Sequence, residues 1–196
     1  MDREHVQSFF TELRDIHQIG VPVKETSYYP CLSNLFNATG KKLRPRVLCV
    51  IHPRSVGAGL PDGALVTPDQ KSSEDDPLAA GLIPARGVLE IKSPGEDAAD
   101  VVATEQVRKY LAKYGLVLVT NFRQFILLSR GANNLPVVLE TFTIAPSEKA
   151  FWKAVQTPHT LTERLGTSFL EFLTRVMLHA APLTNPHRGG NRTYIG

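Results

Sequence analysis

The sequence has few of the residues that staple small extracellular or metal-bound domains. Its 196 residues include two cysteines, Cys31 and Cys49, and one tryptophan, Trp152. Two isolated thiols in apolar settings supply neither a disulfide framework nor the paired spacing of a zinc site. They read as buried thiols of a reducing compartment. No apolar run reaches the roughly 18 residues that a membrane-spanning helix needs. The opening Met1-Asp2-Arg3-Glu4-His5 leads into no signal-peptide core, so a cytoplasmic location without a membrane partner is expected. The six histidines (His5, His17, His52, His159, His179 and His187) are scattered and show no zinc-ligand spacing. Ser93 and Thr120 lack the Gly-Xaa-Ser-Xaa-Gly elbow or partnered histidine of a hydroxyl nucleophile. Internal repeats and low-complexity tracts are also missing.

What is present is the composition of an ordinary globular domain, 42% hydrophobic and 21% charged, which excludes a disordered or collagen-like chain. The net charge of +3 permits nucleic-acid binding without arguing for it. Its distribution is more informative. Lys41, Lys42, Arg44, Arg46 and Arg54 form an acid-free stretch, whereas Asp69, Glu74, Asp75, Asp76, Glu90, Glu96, Asp97 and Asp100 reverse the balance. A basic flank beside an acidic cluster suits a metal-using enzyme that acts on phosphates, and equally a solvated surface.

Apolar spacing predicts a helix over residues 3–18 and a second over 27–39, with Pro30 in its first turn and Gly40 at its end. Short strands are expected at 47–51, 64–66 and 87–92, and a helix over 97–114 closed by Gly115. Residues 116–120 are almost wholly apolar, as in a central parallel strand covered on both faces. Further strands are expected at 124–128 and 137–142, then helices at 147–155 and 161–180. The order predicts an α/β fold with a mixed central β-sheet flanked by helices and a C-terminal helical extension. The expected division is a core domain over 1–145 and an extension over 146–196 ending in a loosely ordered basic tail. The polar stretch 68–85 is long for a loop in a compact domain.

Glu90 and Lys92 lie two apart on a predicted strand, so both side chains point to one face. Burying such charges among apolar neighbours is costly without a partner, and a self-satisfied ion pair is the plain explanation. Asp62 offers another. It stands at the entrance of the preceding strand, and if the two strands pair, Asp62 and Glu90 converge at one sheet edge. With the Ile91 carbonyl they make an oxygen-rich site suited to Mg²⁺. Lys92 beside it would position a water, assist its deprotonation or stabilise transition-state charge.

Pro61-Asp62 followed by Glu90-Ile91-Lys92 resembles the PD-(D/E)XK nuclease motif. Glu25 opens a helix where that superfamily often places an auxiliary acid, and Gln106 to Tyr110 is similar to its Gln-Xaa-Xaa-Xaa-Tyr element. A narrower resemblance is to the N-terminal nuclease region of restriction-modification enzymes that carry an adenine-specific DNA methyltransferase on the same chain. It rests on residues 25–35, on 106–128 with Leu118-Val119-Thr120-Asn121, and on 169–175 with Ala181-Pro182-Leu183. The resemblance implies a restriction-endonuclease-like core and a Mg²⁺-dependent DNA endonuclease, with Mn²⁺ as a substitute. Asp62, Glu90 and the Ile91 carbonyl would hold the metal, and Lys92, Glu25 and Gln106 would complete the catalytic set. The basic residues Lys41, Lys42, Arg44, Arg46 and Arg54 would track the DNA backbone. No recognition helix or zinc finger is visible, so target choice would come from another domain or subunit, such as a methyltransferase or specificity unit. Cutting both strands calls for two such sites, which leaves open a homodimer. The competing expectation is a catalytically silent DNA-binding or subunit-interaction module on the same fold. Two features depart from the pattern. A second Pro-Asp pair, Pro68-Asp69, lies closer to Glu90, and neither a Gly-rich cofactor loop nor an Asn-Pro-Pro-Tyr motif of a methyltransferase is present.

Overall fold

The computed structural model describes residues 3–20, 24–51, 61–70 and 83–180. Arg54, the segment 71–82 of the polar stretch and the basic tail therefore lie outside the described residues. Helix α1 (Glu4–Gln18) buries Val6, Phe9, Phe10 and Leu13, the apolar stripe that its spacing predicts. A 3₁₀ turn over Glu25–Tyr28 leads into α2 (Tyr29–Gly40), with proline in the first turn, where its missing N–H costs no helical hydrogen bond.

Six strands follow in direct spatial order: β1 (Leu48–Ile51), β2 (Gly63–Val66), β3 (Val88–Ile91), β4 (Leu116–Thr120), β5 (Gln124–Arg130) and β6 (Pro136–Thr143). All neighbours are antiparallel except β3 and β4, which run parallel. A parallel pair needs a crossover, and helices supply it. The helix expected over 97–114 is in fact two, α3 (Ala98–Val102) and α4 (Glu105–Tyr114). Asp97 caps the first by accepting from the Ala99 amide. The Thr104 hydroxyl donates to the Val101 carbonyl and accepts from the Val107 amide, ending one helix and starting the next. Gly87, just before β3, has φ +86, and a Cβ there would stand 2.6 Å from the Leu116 carbonyl oxygen. Only glycine allows β3 to enter this close against β4.

Alternation along the strands sorts the core into two layers. Leu89, Ile91, Leu118, Phe125 and Leu127 face α1, α2, α5 (Glu148–Val155) and α6 (Pro158–Leu178). Val88, Val117, Val119, Ile126 and Leu128 face α3 and α4. Phe169 of α6 sits at the centre of the larger layer, with ring centroids 5.0–6.3 Å from those of Phe9, Phe10, Phe125 and Phe142. Cys31 and Cys49 are both buried free thiols. Among the described residues no helix is long and apolar enough to cross a membrane.

Candidate active site

The antiparallel pairing of β2 with β3 brings Asp62 to the middle of β3. Its backbone amide donates to the Leu89 carbonyl at 3.1 Å, and its carboxylate Oδ2 accepts from the Ile91 amide at 2.8 Å. Asp62 is thus fixed at both ends of its own residue beside the strand that carries Glu90. Asp69 is exposed beyond the far end of β2 and takes no part. On β3 the two-residue period directs Glu90 and Lys92 to the α4 face. Glu90 is 2% exposed, and its Oε1 lies 2.7 Å from the Lys92 ammonium, whose side chain is 28% exposed. The same ammonium donates to the Ile91 carbonyl at 3.3 Å. Lys92 is held in turn by its backbone amide, which donates to the Thr120 carbonyl of β4 at 2.8 Å.

Two further elements complete the cluster. In the first turn of α4, Gln106 Nε2 donates to the Tyr110 hydroxyl at 2.7 Å and, at the long limit of 3.5 Å, to Glu90 Oε2. Gln106 therefore bridges a buried tyrosine and the buried carboxylate. From the opposite layer, the Tyr29 hydroxyl donates to Glu25 Oε1 at 2.5 Å. Four of the sequence-predicted site residues, Glu25, Asp62, Glu90 and Lys92, thus feel one another electrostatically, and Gln106 touches the group.

The charges do not balance. Three carboxylates face one ammonium. Burial pushes the Glu90 carboxyl above the ordinary glutamate range. The hydrogen bond from Lys92 opposes this, while the charges of Asp62 and Glu25 add to it. Burial works against the Lys92 ammonium, but its hydrogen bond to Glu90 and the charges of Glu90, Asp62 and Glu25 outweigh that and raise its pKa. Burial, then the nearby Glu90 and Asp62 charges, pushes the Tyr110 phenol up to about 12, against the Gln106 hydrogen bond. Among the described residues no three histidine, cysteine, aspartate or glutamate side chains converge as a complete metal-binding group. The available donors are the Asp62 and Glu90 carboxylates and the Ile91 carbonyl, all hard oxygens in a field of surplus negative charge. That donor set fits a hard divalent cation with part of its coordination left to solvent or substrate.

The raised Glu90 carboxyl has a consequence for stability. The folded protein holds that proton more tightly than the unfolded chain does. Stability is therefore full while Glu90 is protonated and is lost as pH rises from about 4.5 through the raised folded value. Glu90→Gln keeps the shape and removes the charge. In EDTA at pH 8 its Tm is expected above the parent's, and the gap should close as pH falls towards 4.5. Thermal unfolding across that range checks this. A variant less stable than the parent at every pH would mean that the Lys92 pair outweighs the cost of burial.

Sequence reasoning passed over two contributors, Tyr29 and Arg123, and gave Tyr110 only as the end of the Gln-Xaa-Xaa-Xaa-Tyr resemblance. The rings of Tyr29 and Tyr110 are buried, and their hydroxyls hydrogen-bond Glu25 and Gln106 beside the charged cluster. Arg123 is 7% exposed and has carbonyl partners in place of a carboxylate. It donates to the carbonyls of Pro94, Glu96 and Pro146, and the Asn121 amide joins it at Glu96. Together they clamp the turn that follows Lys92. The sequence signals for the tyrosines were helical spacing, Glu25 to Tyr29 and Gln106 to Tyr110, and for Tyr110 also the Gln-Xaa-Xaa-Xaa-Tyr resemblance. Of the basic stretch, Lys41, Lys42, Arg44 and Arg46 lie on the connection between α2 and β1, at the surface.

The mixed sheet, the helices on both faces and the C-terminal helix make up an α/β restriction-endonuclease-like fold. Among solved structures, the chain resembles one in a cryo-electron microscopy structure of a DrdV–DNA complex. The TM-score is 0.54 with 17% sequence identity over 92% of this chain, a likeness that establishes the fold alone. It is also similar to the type IIG restriction endonuclease BpuSI, with a TM-score of 0.41 and 13% identity over 72% of this chain. The chain spans 14% of the DrdV chain and 17% of the BpuSI chain. No protein-family model matches it, and no curated protein matches it.

Proposed function

We propose that the protein is a Mg²⁺-dependent DNA endonuclease, the nuclease part of a restriction-modification system. The observation that carries this reading is the convergence of Asp62, Glu90 and Lys92 at one edge of β2 and β3, with Glu25 and Gln106 turned towards them. The Asp62 and Glu90 carboxylates and the Ile91 carbonyl would hold the metal, with Mn²⁺ as a substitute. When bound, the cation would offset charge at the scissile phosphate and make a bound water more acidic. The residues of the chain do the rest. Lys92 presents a fixed positive charge at the rim, where a phosphate gains negative charge. Gln106 orients the Glu90 carboxylate, and the Arg123 clamp holds the turn behind Lys92. In PD-(D/E)XK terms these are the metal acids, the lysine and the helix glutamine. The partners proposed are DNA and a methyltransferase or specificity unit, which agrees with a fold that spans only 14% of the longer DrdV chain. A homodimer would supply the second site for two-strand cleavage.

The test is calorimetric titration of Mn²⁺ into the parent protein and into Asp62→Asn and Glu90→Gln. One site is expected in the parent and none in either variant. Unchanged binding in both variants would remove the assignment. A second reading has its own observation: Lys92 already neutralises Glu90 and occupies the Ile91 carbonyl. A silent DNA-binding or subunit-interaction module would keep that internal pairing and bind no metal.

The surface residues Lys41, Lys42, Arg44 and Arg46 are proposed to bind DNA phosphates, with Arg54 joining them. Replacing Lys41, Lys42, Arg44 and Arg46 by serine is expected to weaken DNA binding. It should also flatten the dependence of log K on log salt by about 0.9 for each phosphate that is no longer neutralised. Fluorescence anisotropy at several salt concentrations measures both, and an unchanged slope would place the DNA elsewhere.

A further inference from the structure

We infer that Tyr29 is a positioning residue whose hydroxyl holds Glu25 against the Asp62–Glu90 cluster and thereby sets the affinity of that site for a divalent cation. This rests on the metal-dependent reading above and adds a residue to it. Tyr29 is the first residue of α2, and its ring is 3% exposed within the larger core layer. The packed ring fixes where the hydroxyl stands. That hydroxyl donates to Glu25 Oε1 at 2.5 Å. Among the described residues the Glu25 carboxylate has no other hydrogen bond or ion pair. Its backbone lies in a short 3₁₀ turn, so nothing else in the described structure points its side chain inward.

The Asp62 carboxylate is near enough to the same hydroxyl to help hold its proton on. A phenol has one proton to donate, and both carboxylates are acceptors when ionised. The structure gives that proton to Glu25, while Asp62 accepts from the Ile91 amide. The result is a negative cluster in which the charges of Glu25 and Asp62 both act on Glu90, and Tyr29 anchors its Glu25 end. Remove the hydroxyl and Glu25 keeps only its repulsion from Asp62 and Glu90, so it turns out to solvent. The site then loses a negative charge that attracts the cation, while Asp62 stays fixed by its bonds to Leu89 and Ile91.

The neighbouring Tyr28 is the internal control. It is equally buried, but it packs on Phe122 and Trp152, and its hydroxyl senses Cys31 and Glu148 and not the cluster. The experiment is Mn²⁺ titration calorimetry on the full chain as parent, Tyr29→Phe, Glu25→Gln, the double variant and Tyr28→Phe, with thermal unfolding of each in EDTA. Loss of an outer partner of a metal ligand costs about 10- to 100-fold in affinity, and that loss is expected for Tyr29→Phe and for Glu25→Gln. The double variant should bind no more weakly than the worse single one, because Tyr29 acts through Glu25. Tyr28→Phe should bind as the parent does. Parent-like affinity in Tyr29→Phe, additive losses in the double variant, or an equal loss in Tyr28→Phe would each overturn the inference. If Tyr29→Phe does not fold, Glu25→Gln decides alone, and parent-like affinity there overturns it. A parent that binds no Mn²⁺ would overturn the metal reading and this inference together. Tight binding in the parent that Tyr29→Phe leaves intact would overturn this inference alone.

Discussion

Lys92→Met is expected to lower metal-dependent DNA cleavage by about 10²- to 10⁴-fold while Mn²⁺ binding at pH 8 is retained. The two readouts separate because Lys92 is not among the proposed metal donors. It contributes a charge at the point where the reacting phosphate would sit. Methionine keeps most of the buried stem, so packing along β3 is little disturbed. The variant leaves Glu90, at 2% exposure, without its ammonium. Unpaired buried charge is costly, so in the metal-free variant Glu90 holds its proton more tightly still. A divalent cation restores a positive neighbour, which is why binding is expected to survive at a pH high enough to release that proton. Cleavage within a few-fold of the parent would mean that Lys92 is only the counter-charge of a structural glutamate.

The second large effect falls on stability. Phe169→Ala is expected to cost about 3–5 kcal/mol, the usual range for deleting a buried aromatic side chain. Phe169 has no exposed surface and stands among Phe9, Phe10, Phe125 and Phe142, so no side chain at the surface can collapse into the space it leaves. The ring joins α6 to α1 and to strands β5 and β6 of the sheet. The loss should therefore appear as destabilisation of the whole fold in one cooperative transition. Chemical denaturation checks this. An early, partial transition with the sheet signal intact would show that α6 unfolds on its own.

Much of this arrangement was legible in the chain. A period of two placed Glu90 and Lys92 on one face, and an almost uninterrupted apolar run marked β4 as the covered central strand. The choice of Asp62 over Asp69 depended on which of them directly precedes a strand, and in the structure only Asp62 touches β3. Other features were hidden because their physical basis is not local. Thr104 divides one predicted helix into two, yet a threonine inside a continuous apolar pattern carries no break signal until its hydroxyl is seen bridging the two ends. Tyr29 and Asp62 are brought together by the pairing of β2 with β3 and by the packing of α2, and neither can be read from spacing. Arg123 looks like a solvated turn residue because every acceptor it uses except the Gln124 amide oxygen is a backbone carbonyl. The charged cluster itself follows from topology: β3 and the residue that follows it carry Glu90 and Lys92, and neighbouring elements deliver the rest.

The most direct test of the central claim is incubation of supercoiled plasmid DNA with the purified parent protein in Mg²⁺, in Mn²⁺ and in EDTA. The account predicts nicked or linear product with either metal and none in EDTA. Intact plasmid under all three conditions, or cleavage that EDTA leaves unchanged, would contradict it.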